Sequence, residues 1–314
     1  MKTRITFITA ALGAALAAAP AGAAESSAAQ FLRLGFGARA LGMGEAFTAV
    51  ADDAAALHYN PAGLAWNGIP ERKTAMFSHA WHIQDMGVSQ AALLARPWAF
   101  GVTYFSAGQM EGRDDAGAAT GDFTARDLAL TAGRGFDYGE FSAGAAVKYV
   151  GQKIGGVSAH AAAVDLGALY RPEGSRFRYG AALANLGTKI KFRDDAFPLP
   201  LTFRAGASAE LSGAPVLLAA QADFPNDDGP SLRLGAEYRA AENFRLRAGY
   251  KTSSSGDKDA ILGTELGGGA GGVSSLFGFF AGIGLNLGEF SMDYALAPYG
   301  ELGSAHRVSL AMKF

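Results

Sequence analysis

The 314-residue sequence predicts an all-β fold, a transmembrane antiparallel β-barrel of about 14 strands with an N-terminal luminal plug segment. Three observations lead there. Segment after segment alternates apolar and polar residues with period 2. Gly, Pro, Asp, Asn and Ser punctuate these segments. The apolar faces end in rings, at Tyr104, Tyr149, Tyr170, Tyr238, Tyr250 and Tyr294, where a membrane interface gathers aromatic side chains. The 43 glycines and a mean hydropathy of only +0.11 suit a β-rich membrane wall better than a Leu-rich helical core.

In chain order, residues 1–24 read as a secretory signal peptide: Lys2 and Arg4 precede the apolar run Ile5 to Ala19 and a small-residue "APAGAA". The expected mature chain starts near Ala24 or Glu25. No later run reaches the roughly 18 uninterrupted apolar residues of a membrane helix. The chain has no cysteine, so a disulfide framework, a thiolate metal site and a lipobox are all excluded. With a net charge of −2 and both signs interspersed, there is no basic stripe for nucleic acid.

Residues 25–72 form the expected plug. The stretch from Phe31 to Trp66 does not alternate like a strand and is too short to fold alone, so it must pack inside whatever the barrel provides. Its motif residues are Gly42, Met43, Gly44, Asp52, Asp53, Asn60, Pro61, Ala62 and Gly63. Asp52 or Asp53 is expected to cap a short helix through Leu57–Tyr59, with Pro61 ending it and Gly63 turning the chain toward the first strand.

Residues 73–314 form the expected barrel. The strands read as 73–83, 86–96, 98–107, 123–135, 140–152, 158–171, 176–186, 200–211, 215–224, 231–240, 243–252, 275–287, 289–297 and 306–314. Longer breaks fall at Gly108–Asp122, Gly187–Leu199 and Thr252–Ser274. Parity places Arg204, Arg233, Glu237, Arg239, Arg245, Arg247 and Asp293 on a narrow, wet inner face, to pair with one another and with Glu45, Asp52 and Asp53. The alternative reading makes them a route for an anionic amphiphile. Phe314, ending an aromatic-rich last strand, is the expected signal to the barrel-insertion machinery, and outer-membrane lipid is the expected surrounding.

Other motifs carry little. The histidines of "SHAWH", His79 and His82, face opposite sides of a strand, so no metal is expected. His306 with Ser309, or His160 with Ser158, lacks a third partner for hydrolysis, and no enzymatic activity is expected. "GFGARALGMG" lacks the strand and spacing of a dinucleotide fingerprint, and "GTELGGGAGG" lacks the lysine and helix of a phosphate loop, so no cofactor is expected.

"GARALGMGEAFTAVADDAAALHYNPAGLA" (residues 37–65) resembles the N-terminal signature of the PorV/PorQ outer-membrane family, itself similar to FadL-type barrels. The likeness continues through "ALANLG", "PLPLTFRAGAS", "RLRAGYKT" and "SMDYALAPYGELGSAHRVSLAMKF", covering nearly all the mature chain. Glu45 departs from it, since the family more often has glycine there. The PorV/PorQ resemblance implies a type IX secretion component that binds or shuttles cargo, with secretion-system subunits and cargo C-terminal domains as partners. Its binding surface would be the loops Gly108–Asp122 and Thr252–Ser274. The FadL likeness implies instead passive transport of a hydrophobic small molecule, with the plug as gate, an exit through the barrel wall and a pocket near Phe31, Leu32, Leu34, Phe36 and Met43.

Overall fold

The structure, a computed structural model, describes residues 26–66, 73–81, 86–114, 116–252, 278–298 and 304–314. The expected signal peptide, His82 and nearly all of the expected loop Thr252–Ser274 lie outside the described residues.

The strands are β1 (Thr74–Trp81), β2 (Gly87–Ala95), β3 (Trp98–Arg113), β4 (Ala119–Tyr138), β5 (Phe141–Ile154), β6 (Val157–Tyr170), β7 (Phe177–Gly187), β8 (Ile190–Phe192), β9 (Asp195–Phe197), β10 (Thr202–Glu210), β11 (Val216–Pro225), β12 (Ser231–Arg239), β13 (Phe244–Lys251), β14 (Phe279–Leu287), β15 (Phe290–Pro298) and β16 (Ser304–Lys313). Fourteen of them close into one antiparallel barrel, and β8–β9 form a separate hairpin. The ring closes between β1 and β16, in register from Thr74 opposite Lys313 to Trp81 opposite His306. Closure pairs every strand on both sides, which is what hydrocarbon demands of a sheet.

Alternation sorts the side chains. Large apolar residues such as Phe100, Val147, Leu166, Leu246 and Phe290 stand exposed around the outside, while their neighbours in sequence point inward and are small or polar. A continuous exposed apolar girdle of this kind on a closed barrel is a lipid-facing wall. The protein is therefore an outer-membrane barrel of a Gram-negative-type bacterium. Turns such as 139–140 and 288–289 are short at the end holding Phe314, and the longer connections, with the β8–β9 hairpin, gather at the other end. By the usual sidedness of such barrels the short turns face the periplasm and the long ones the exterior.

Two expectations need correction. The break at Gly108–Asp122 is mostly strand: after a register shift between Ser106 and Gln109, the β3–β4 ladder runs on to Arg113 opposite Ala119. Beyond the membrane the exposed face of β3 carries Gln109, Glu111 and Arg113, so the lipid-facing apolar rhythm stops while the hydrogen bonds continue. Nor is the inner face wet throughout. Residues 26–66 run inside the ring of strands, and the main apolar core joins Met43, Phe47, Val50, Leu57 and Leu64 to inward residues Leu94, Ala99, Ala146 and Leu169 of the wall.

Candidate functional site

The luminal segment has little regular structure: a 3-10 turn at Gln30–Arg33, α1 (Ala38–Gly42), α2 (Ala56–Tyr59) and a second 3-10 turn at Pro61–Ala65. The expected carboxylate cap of the helix is absent. Asp53 Oδ1 instead accepts the Ala55 N–H at 2.8 Å, one turn ahead of α2, and Asp52 turns to Arg39. Asn60 does the joining. Its Oδ1 accepts from the Ala62 N–H at 3.1 Å, and its Nδ2 donates to the carbonyls of Thr48 at 2.9 Å and Ala168 of β6 at 3.0 Å. Pro61 starts the following turn, where a missing N–H costs nothing, so Asn60-Pro61-Ala62-Gly63 leads into another turn rather than straight into β1. Replacing the fully buried Asn60 by alanine strands two carbonyls and one N–H. We expect a loss of about 2–4 kcal/mol in unfolding by denaturant, with Asn60→Asp no better because it cannot donate.

Inward glycines let backbone meet backbone. A Cβ at Gly144 of β5 would overlap the Pro61 carbonyl group, and one at Gly249 of β13 would overlap Gly44 N. Gly42, Met43 and Gly44 thus lie directly on β12, β13 and β14, and Gly63 packs under the Ala51 carbonyl. At the periplasmic end Trp66 sits between the guanidinium groups of Arg171 and Arg178, 5.1 and 4.7 Å from its ring.

The charges form two clusters. In the first, Arg39 reaches Asp52, Asp53 at 3.1 Å and Glu237 at 2.9 Å, while Arg247 links Glu237 to Asp293, both at 2.6 Å. In the second, Arg233 pairs with Glu45 of the segment and with Asp223 at 2.7 Å. Burial would raise the Glu45 carboxyl, but Arg233, Lys251 and Arg307 together hold it below the usual carboxylate range. Burial pushes the Asp53 carboxyl up, against the pull of Arg39. Arg204 donates to the His58 carbonyl at 3.2 Å. Arg245 stands apart, bonded to the turn carbonyls of Ala241 and Glu242.

Four participants were not singled out by sequence. Arg39 and Arg307 fix the segment, Arg307 through the Gly35 carbonyl. Gln221 accepts the N–H groups of Phe47 and Thr48 at 3.0 and 2.9 Å, and Asp223 holds Arg233. Gln221 and Asp223 were legible in principle, since Ala219, Gln221 and Asp223 share the inward parity of their strand.

His58 packs within the luminal segment, its ring 4.9 Å from that of Tyr59. Burial first, then Arg204, Lys148 and other cations, hold its pKa well below the usual histidine value. A displaced imidazole takes up a proton below about pH 6.5, but the seated one does not. More protons are then bound in the unfolded state, so stability falls as pH drops under about 6.5, by up to ~1.4 kcal/mol per pH unit. Glu45, with its depressed pKa, adds no slope there, because its contribution is lost only as pH falls through that lower value. His58→Leu is expected to remove this part of the slope, read as the difference between wild-type and variant unfolding midpoints at about pH 7 and about pH 5.

The five apolar residues expected to share one pocket divide. Phe36 and Met43 belong to the main core, whereas Phe31 and Leu32, with Leu34 beside them, join Ala129, Val150, Ala161 and Ile190 in a second apolar compartment at the loop end. This compartment borders a bulge in the wall. The β6–β7 ladder shifts register between Val164 and Leu166, and Asn185 there takes a left-handed φ of 64°. Buried Lys148 bridges the bulge, 2.6 Å from Asp165 and 2.8 Å from Asn185 Oδ1, and Asp165 accepts the Asn185 N–H at 2.8 Å. β7 stops at Gly187, opposite Ala163, leaving the tip of β6 paired with β5.

Among the described residues no three His, Asp or Glu side chains are grouped to hold a metal. His79 bonds Ser89 at 2.9 Å, on the same outward face as Phe77, and His306 points outward from its strand while Ser309 points inward.

No protein-family model matches the chain, and no curated protein matches it. Solved structures do. The toluene transporter TodX of Pseudomonas putida aligns with a TM-score of 0.58 at 14% identity, over 89% of this chain and 98% of that one. A Pseudomonas aeruginosa FadL homologue aligns with a TM-score of 0.55 at 13% identity, over 88% and 98%. A TodX mutant described as a monoaromatic hydrocarbon channel aligns at 0.57 and 14%, over 89% and 98%. The chain has the fold of these FadL-like barrels. At such identities the likeness establishes the fold alone.

Proposed function

We propose that the protein is a passive channel for small hydrophobic compounds. One observation carries this reading: the segment's backbone is seated on inward glycines of the wall, while the apolar compartment around Phe31 and Leu32 borders the bulge in the β6–β7 ladder. A segment seated this way works against a wide aqueous path of porin type. A hydrophobe entering from the loop end finds an apolar resting place and, at the bulge held by Lys148, Asp165 and Asn185, a way sideways into the bilayer. Residues 26–66 act as the plug and gate. The printed descriptions of the relatives, a toluene transporter and a monoaromatic hydrocarbon channel, support a single-ring hydrocarbon or a compound of similar size as substrate.

The secretion role implied by the PorV/PorQ resemblance has no specific observation in its favour. Of its two expected cargo-binding loops, one is largely strand and nearly all of the other lies outside the described residues. The deciding experiment is native mass spectrometry of the protein released in mild detergent from its own membrane, paired with uptake of radiolabelled toluene by cells making it. A retained hydrophobe of fixed mass with faster uptake supports the channel. A co-purifying polypeptide with a C-terminal β-domain, and no change in uptake, would replace it with the secretion role.

A further inference from the structure

Toward the loop end the outer face is mostly aromatic or aliphatic, with Phe203 stacked on Phe224 and Tyr250 against Phe279. One sector departs from this. Across β3, β4, β5 and β6 the register sets Ser106, Arg126, Lys153 and Ser158 side by side in a single row. All four point outward, since they share parity with exposed Tyr104, Leu130, Tyr149 and Val164, whereas Asp127, Gln152 and Ala159 next to them in sequence are buried.

The adjoining row toward the membrane centre is Tyr104, Leu128, Gly151 and His160. There Tyr149 Oη lies 2.7 Å from His160 Nδ1, with the two rings stacked 5.7 Å apart. This is an interfacial aromatic belt, and the Ser-Arg-Lys-Ser row stands just beyond it, at headgroup level of the outer leaflet.

Directly opposed side chains on adjacent strands are about 5 Å apart, so Arg126 and Lys153 repel each other. Among the described residues neither has a carboxylate partner. The carboxylates on that stretch of wall lie farther toward the loops and are engaged: Gln109 donates to Asp122 at 2.7 Å, and Arg113 pairs with Glu111 at 2.8 Å. Two opposed cations flanked by two hydroxyls, above stacked rings at a membrane surface, match an anion with several oxygens that is itself anchored in the membrane. We propose that this row binds a phosphate group of the phosphorylated glycolipid of the outer leaflet. The site is separate from the lumen and does not depend on what the channel carries.

The test is a titration of the full chain, in detergent micelles, with diphosphoryl lipid A, followed by native mass spectrometry. A one-to-one adduct is expected. Arg126→Gln and Lys153→Gln should each weaken it about fivefold, and the double variant about thirtyfold. Arg113→Gln, which alters a cation outside the row, should leave it unchanged. Heat-modifiable migration on gels confirms that each variant is a closed barrel. Equal binding by wild type and double variant, equal binding of a fully dephosphorylated lipid A, or displacement of the lipid by equimolar inorganic phosphate would overturn the assignment.

Discussion

Deletion of Phe31–Trp66 is expected to turn a closed barrel into an ion-conducting one, seen as single-channel steps in planar bilayers where the full chain shows none. The reason lies in the inner wall. A barrel of eight strands is filled by its own side chains, and one of 16–18 leaves an aqueous channel. This one has fourteen strands whose inward positions include glycines at the places where the segment's backbone rests, so the segment fills the space that side chains do not. A point substitution makes the same test without removing chain. Valine at Gly249 would project into the Met43–Gly44 backbone, and no rotamer relieves a clash that begins at Cβ. Overpacking of this kind costs about 1–3 kcal/mol or more, and displacing the segment is the available relief. Gly249→Val should therefore conduct as well, whereas Ala248→Val on the lipid face of the same strand should not. Unchanged conductance after the deletion would mean that the segment does not close the lumen.

Arg233→Met is expected to destabilise the protein by about 3–5 kcal/mol, the range seen when one partner of a buried ion pair is removed. Arg233, Glu45 and Asp223 have side chains only 11%, 12% and 5% exposed, so solvent screening gives little relief. The substitution leaves two carboxylates facing each other's field without their common cation. Adding Glu45→Gln should recover part of the loss, and adding Asp223→Asn most of the remainder, because a neutral pair of similar shape needs no counter-charge. The measurement is urea unfolding in lipid vesicles, with segment displacement followed by conductance. A cost below about 1 kcal/mol for Arg233→Met would show that the pair is effectively solvated.

How much was legible follows from where the physics is local. Each of the fourteen barrel strands was readable because the bilayer imposes a period-2 apolar pattern on it. Reading failed where that pattern ends, as at Gln109, Glu111 and Arg113, which extend β3 above the membrane with polar residues on its exposed face. Parity put Arg204, Arg233, Glu237, Arg247 and Asp293 on the inner face, since strand geometry alone decides that. It put Arg245 there too, but an arginine at a strand end can reach its own turn carbonyls, and this one does. Glu45, a departure from the family pattern, suggested a luminal arginine as partner, but which arginine depended on how the segment crosses the lumen.

The sequence by itself therefore determined the wall: an even-numbered, lipid-facing barrel, closed without disulfides, with small and charged residues turned inward. Only the tertiary structure decided what the inside is. A segment with no periodicity of its own takes its shape from its container, so the pairing of Arg39 with Glu237, the seating of Gly44 on Gly249 and the separation of Phe31 from Met43 rest on contacts between residues far apart in the chain. Local propensity carries no record of such contacts. The row from Ser106 to Ser158 is of the same kind: four unremarkable residues on four strands become neighbours only when the register of three ladders is known.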